Sequence, residues 1–178
     1  IVPRKPGERH WYEFLQFNRE AFRKYLRYYI DEVKKTHPAM QLCSNWAFTD
    51  HMPEAVCAPV DWISGDYSPE DSVNSARLSA RYLAQQGKPW DLMAWSFARR
   101  GEMRNGSRQK SAPQLQREAA VVLALGGGFQ FYHTQRRDGS IREENLPVMA
   151  QVAGFCRERQ AICHRSVPVP QVALLYST

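Results

Sequence analysis

Four short, mostly apolar runs, at 40–48, 60–64, 90–97 and 129–133, constrain this chain more than any other feature. None alternates cleanly between apolar and polar residues. Strands of that kind are covered on both faces, as in a parallel sheet. Helical patterns punctuate them. The first runs from about Asn18, a favourable N-cap, to His37, with one apolar stripe through Phe22, Tyr25, Leu26, Tyr29, Ile30 and Val33. Pro38 ends it, because proline disfavours a helical residue before it. The second is entered through the turn Gly65-Asp66-Tyr67-Ser68-Pro69, with Ser68 as N-cap, and stops at Gly87. Pro113 opens the third, which ends at Gly126-Gly127-Gly128, and the fourth covers about 145–163. Val167-Pro168-Val169-Pro170 then forms a stiff linker to a last strand at 172–178.

Strands alternating with helices at this spacing predict an α/β fold, a parallel sheet with right-handed crossovers. A doubly wound nucleotide-binding sheet is the alternative. Two features weigh against it: no Gly-x-Gly-x-x-Gly follows any strand, and the run of three glycines precedes a strand, where its amides do not face a helix N-terminus. No cofactor is expected.

A chain of 178 residues is too short for a complete eight-fold barrel, which takes roughly 250. It opens without an initiator Met and closes inside an apolar strand, so it reads as part of a longer polypeptide. The net charge of +6 is spread over several helix faces rather than gathered in a tract, which argues against a nucleic-acid partner. No apolar run approaches the roughly 18 residues that span a bilayer. Cys43, Cys57, Cys156 and Cys163 have no Cys-x-x-Cys spacing, so a metal site finds no support and the cysteines read as core residues. The compartment, periplasmic or extracellular as against cytoplasmic, stays open.

The polar and aromatic residues collect at the C-terminal ends of the four strands: Asn45 and Trp46, then Asp61 with Asp66, then Trp95 and Ser96, then Tyr132 and His133. In a parallel α/β barrel those ends form the rim of one pocket. Indoles stack on the C–H faces of sugars while carboxylates, amides and imidazoles bind hydroxyls, so the candidate sugar-binding residues are Asn45, Trp46, Trp95 and His133. Glycoside hydrolysis needs two carboxyl groups across the scissile bond. Asp50 and Glu54 read as surface-loop residues and Asp61 falls at the wrong end of its strand. Asp66 and Glu102 remain as the catalytic candidates.

From Gly87 onward the chain resembles the closing part of the barrel in family 42 β-galactosidases and a related fucosidase-like group. The resemblance is carried by Gly87-Lys88-Pro89-Trp90-Asp91-Leu92-Met93, by the helix from Gln116 into Gly126-Gly127-Gly128-Phe129-Gln130-Phe131-Tyr132, and by Arg137-Asp138-Gly139. Ser44-Asn45-Trp46 and Val60-Asp61-Trp62-Ile63-Ser64-Gly65-Asp66 look like the fucosidase-like group. Val172-Ala173-Leu174-Leu175-Tyr176-Ser177 is similar to the first strand of a following Rossmann-like trimerisation domain.

The resemblance implies the C-terminal half of a (β/α)8 TIM barrel over 1–165, with linker and first strand of the next domain over 166–178. It also implies a homo-oligomer and a carbohydrate substrate shared with the remainder of the same polypeptide. One departure stands out. The galactosidases carry a nucleophilic glutamate after the strand matching Leu92-Met93, where this sequence has Ala94-Trp95-Ser96. The expectation is therefore a retaining exo-glycosidase of α-L-fucosidase-like type, its nucleophile upstream of Ile1. The alternative is a catalytically inactive barrel that binds glycans or supports oligomerisation.

Overall fold

The computed structural model describes residues 2–97 and 109–175. Four parallel strands alternate with helices in an α/β fold. Helix α1, Trp11–Thr36, starts seven residues before Asn18, which sits exposed within it. Trp11, Phe14 and Leu15, spaced three and four apart, prolong the apolar stripe through Phe22, Leu26 and Ile30, and that periodicity outweighs the capping preference of one asparagine. The helix stops at Pro38 as its sequence requires, with His37 N–H still donating to the Val33 carbonyl.

Strand β1, Cys43–Asn45, is shorter than the apolar run that contains it. Trp46 and Phe48 take left-handed backbone conformations, φ 73° and 61°, and turn the chain out of the sheet. Ala47, Phe48 and Thr49 are nonetheless buried, so the apolar run serves a packed loop instead of a longer strand. Strand β2, Trp62–Asp66, lies two residues later than its apolar run, because Gly65 and Asp66 pair with Leu92 and Met93. Ladder pairing overrides the turn preference of Gly-Asp. Helix α2, Ser72–Leu83, then begins after Ser68, whose Oγ instead accepts a bond from Glu70 N–H within the preceding turn.

Strand β3, Trp90–Trp95, leads to α3, Ala112–Ala124, which opens on a capping box: Gln114 Oε1 accepts from Ser111 N–H at 2.8 Å, and Pro113 occupies the first turn. Strand β4, Gly128–Tyr132, is followed by a 3-10 turn, Glu143–Asn145, and by α4, Leu146–Cys163. Residues 171–175 lie outside any strand, with Val172, Leu174 and Leu175 at 87%, 76% and 93% exposure. An extended apolar segment becomes a strand only where a sheet edge offers it a ladder, and none pairs with it here. No helix among the described residues is long and apolar enough to cross a membrane.

The strand order is β1-β2-β3-β4, with every neighbour parallel. Sequential order with crossovers of one hand carries the connecting helices to one side of a sheet. Burial along β3 follows: Trp90, Leu92 and Ala94 are buried, whereas Asp91, Met93 and Trp95 are only half-buried. Ile63, Leu92 and Ala94 form a core with Ala76, Ala80 and Leu83 of α2 and Leu115 and Val122 of α3, and α4 packs on α3.

The opposite face carries Ser64, Asp91, Met93, Gln130 and Tyr132. Its centre is polar, since Asp91 accepts from Ser64 Oγ at 2.6 Å and from Gln130 Nε2 at 2.7 Å.

The end of α3 meets β3 at a glycine. A Cβ at Gly127 would overlap the ring of the buried Trp90. Gly127→Ala is therefore expected to cost about 1–3 kcal/mol, the usual penalty of overpacking, read as a lowered urea midpoint with the slope retained.

Candidate functional site

The pleat of period two decides which strand-end residues meet. Asn45, Asp66, Trp95 and Tyr132 all fall on the open face at the C-terminal ends of their strands. Asp66 is the last residue of β2 and only 7% exposed. Its Oδ2 lies 3.4 Å from the indole Nε1 of Trp95, which donates to it, and its Oδ1 is buried with no hydrogen-bond partner. Trp95 belongs to an aromatic trio: its ring centroid is 5.4 Å from Phe97 and 6.1 Å, edge-on, from Tyr132, and those two are 5.5 Å apart. A desolvated carboxylate with one unpaired oxygen beside an aromatic platform has the chemistry for a ligand that presents both hydroxyls and a C–H face.

Asn45 is exposed beside this group. Trp46 stands at the same rim, 41% exposed, its ring 4.7 Å from His51. The loop that holds it is tied down by Thr49, whose Oγ1 donates to the Trp46 carbonyl at 2.8 Å, while Met52 N–H donates to the Thr49 carbonyl at 3.0 Å. Left-handed Trp46 and Phe48 each cost of order 1–3 kcal/mol and persist only where the surroundings enforce them.

His133 is not brought together with Asp66 and Trp95. It follows Tyr132 and so belongs to the helix-covered side, where its ring packs edge-on against Phe131 at 5.2 Å and its Nδ1 lies 2.9 Å from Ser96 Oγ. Ser96 Oγ also lies 2.5 Å from the Tyr132 carbonyl, to which it donates. With that proton committed, Nδ1–H donates to Ser96, and Nε2, which is buried and without a partner, carries the lone pair.

Burial holds the His133 pKa below its ordinary 6.5. The unfolded chain then binds the extra proton first. Its stabilising contribution is complete above about pH 6.5 and is lost as the pH falls through the lower folded value. Urea midpoints should fall on acidification below pH 6.5, and His133→Gln should remove part of that slope.

Glu102 lies outside the described residues. Of the other carboxylates weighed in the sequence, Glu54 is engaged by Arg23 at 2.8 Å, and Asp61 sits at the N-terminal end of β2. There the Leu42 N–H, and then Lys34 at 3.0 Å, hold its carboxyl below the usual range. Asp91 shares the open face with Asp66, but both of its oxygens are bonded.

Sequence reasoning missed one cluster. Glu118 of α3, 1% exposed, accepts from Tyr67 Oη at 2.7 Å, Ser72 Oγ at 2.7 Å and Lys110 Nζ at 2.9 Å. Burial, with Glu118 beside it, raises the Tyr67 phenol well above its ordinary range. A signal was present, since Glu118 falls on the stripe Leu115, Glu118, Ala119, Val122 that the helix turns inward.

No three His, Cys, Asp or Glu side chains among the described residues are grouped to hold a metal ion, and all four cysteines are free and half-buried. Fold and site together define a parallel α/β chain with helices on one face and a carboxylate-aromatic cluster at the strand ends of the other. Comparison with family models, with curated proteins and with solved structures finds no match.

Proposed function

We propose that this chain is the C-terminal half of a (β/α)8 barrel in a retaining exo-glycosidase of α-L-fucosidase-like type. The observation that carries the reading is the Asp66–Trp95 pair, a nearly buried carboxylate with one unpaired oxygen beside an indole and two further rings. Sequential strand order supports the barrel, because a doubly wound sheet reverses its order and covers both faces, whereas a barrel keeps helices outside and side chains within. The polar strip Ser64–Asp91–Gln130 then belongs to the barrel interior. Asp66 serves as acid/base, and Trp95, with Asn45 and Trp46, binds the sugar. The retaining mechanism and the fucosidase-like type rest on the sequence resemblance, as does a following domain that takes up the exposed apolar tail and supports oligomerisation.

One observation favours a second reading. Among the described residues the last positions of the four strands carry a single carboxylate, Asp66, where hydrolysis needs two. An inactive barrel that binds glycans matches that arrangement. The test is turnover of aryl α-L-fucosides and β-D-galactosides by the polypeptide that contains this segment. Hydrolysis of either supports the glycosidase, binding without hydrolysis selects the inactive barrel, and neither binding nor hydrolysis of any aryl glycoside sinks both.

A further inference from the structure

The buried Glu118 cluster has no part in the proposed chemistry, yet it reaches both members of the Asp66–Trp95 pair through the sheet. Because successive side chains on a strand point to opposite faces, the residue after each member lies on the helix-covered side. Tyr67, next to Asp66, is 2% exposed and donates its phenol proton to Glu118 Oε2 at 2.7 Å. Ser96, next to Trp95, is fully buried, and its carbonyl accepts from the Lys110 backbone N–H at 2.8 Å and from Gln109 Nε2 at 2.9 Å. The ammonium of the same Lys110, 6% exposed, donates to Glu118 Oε1 at 2.9 Å. Ser72, the first residue of α2, donates to that oxygen at 2.7 Å. One carboxylate thus receives the ends of two short chains of contacts, one starting beside Asp66 and the other beside Trp95.

Stability alone does not account for such a cluster. Removing a lysine and a glutamate from water costs as much as their attraction returns, so an apolar replacement of both is often neutral or better. What the charged pair supplies is geometric definition, since each bond fixes direction as well as distance. The contact it serves is sensitive: at 3.4 Å it is already longer than the roughly 2.7–3.2 Å usual for an N–H to oxygen bond, and a further displacement of a few tenths of an ångström on either strand breaks it.

We propose that Glu118 is a positioning residue that, through Tyr67 and Lys110, sets the separation of Asp66 and Trp95. This deepens the glycosidase reading and rests on it for its effect on turnover. The structural part stands apart from that reading.

The test compares Glu118→Gln and the milder Tyr67→Phe in the polypeptide that contains this segment, against its unsubstituted form. The indole N–H resonance of Trp95, assigned by its loss in Trp95→Phe, reports the hydrogen bond to Asp66 directly. Both variants should move that resonance toward the position of an unbonded indole, and kcat should fall roughly tenfold or more with KM changed less than about twofold. A merely structural Glu118 would lower the melting temperature and leave the resonance in place. An unmoved indole signal in folded Tyr67→Phe overturns the proposal, even if Glu118→Gln does not fold. An inactive parent polypeptide contradicts only the glycosidase reading, and the indole shift then still decides the role of Glu118.

Discussion

Asp66→Asn is expected to lower kcat/KM for aryl glycosides by about 10²–10⁴, the usual worth of a general acid or base, with little effect on folding. Both halves of the expectation come from the same surroundings. Asp66 is 7% exposed, one of its oxygens receives the Trp95 indole and the other receives nothing. A carboxylate desolvated to that extent with one donor is costly to the fold, so a neutral amide of the same shape should leave stability within about 1 kcal/mol or raise it. The amide cannot take up and release the proton that glycosidic cleavage requires. Activity lost with an unchanged urea midpoint separates a chemical role from a structural one. If activity and stability fall together, Asp66 is a packing residue and the site has been misread.

The largest stability effect is expected at Leu92. It lies in β3, a central strand of the sheet, is fully buried, and belongs to the core built from Ile63, Ala94, Leu83 and Leu115. Its Cδ2 stands 3.4 Å from where a Cβ on Gly65 would lie, so it also fills the space that this glycine leaves. A rigid ladder on each side prevents collapse into the vacated volume. Leu92→Ala should therefore cost about 2–5 kcal/mol, toward the upper end of that range. For a chain of this size that is a drop in melting temperature on the order of 10 °C. Calorimetry, or a urea midpoint at constant slope, reads it.

Local physics explains which parts of this architecture were legible in the sequence. The strands and helices announced themselves because burial imposes periodicity, and Pro113 and Pro38 mark helix ends by local chemistry. Strand bounds were less legible. Gly65 and Asp66 read as a turn until β3 offers them a ladder, and Trp46 to Phe48 read as strand until the left-handed backbone turns them away. The start of α1 was set too late by trusting the capping preference of Asn18 over the spacing of Trp11, Phe14 and Leu15.

The candidate site divides along the same line. Asp66, Trp95 and Asn45 could be placed on one sheet end because strand ends follow from the apolar runs. His133 was grouped with them because its run read as 129–133, and only the pairing of Trp95 with Tyr132 reveals that it points to the other face. The Lys110–Glu118 contact depends on where a loop returns after β3, which no local pattern encodes.

The most direct test of the central claim is a crystal structure of the polypeptide that contains this segment, soaked with a monosaccharide such as L-fucose. The account predicts further parallel strands beside β1 and β4 that close the open face into a barrel, with the sugar ring against Trp95 and a hydroxyl bonded to the Asp66 carboxyl. Helices packed across Ser64, Asp91 and Gln130, with no sugar at Asp66, would contradict it.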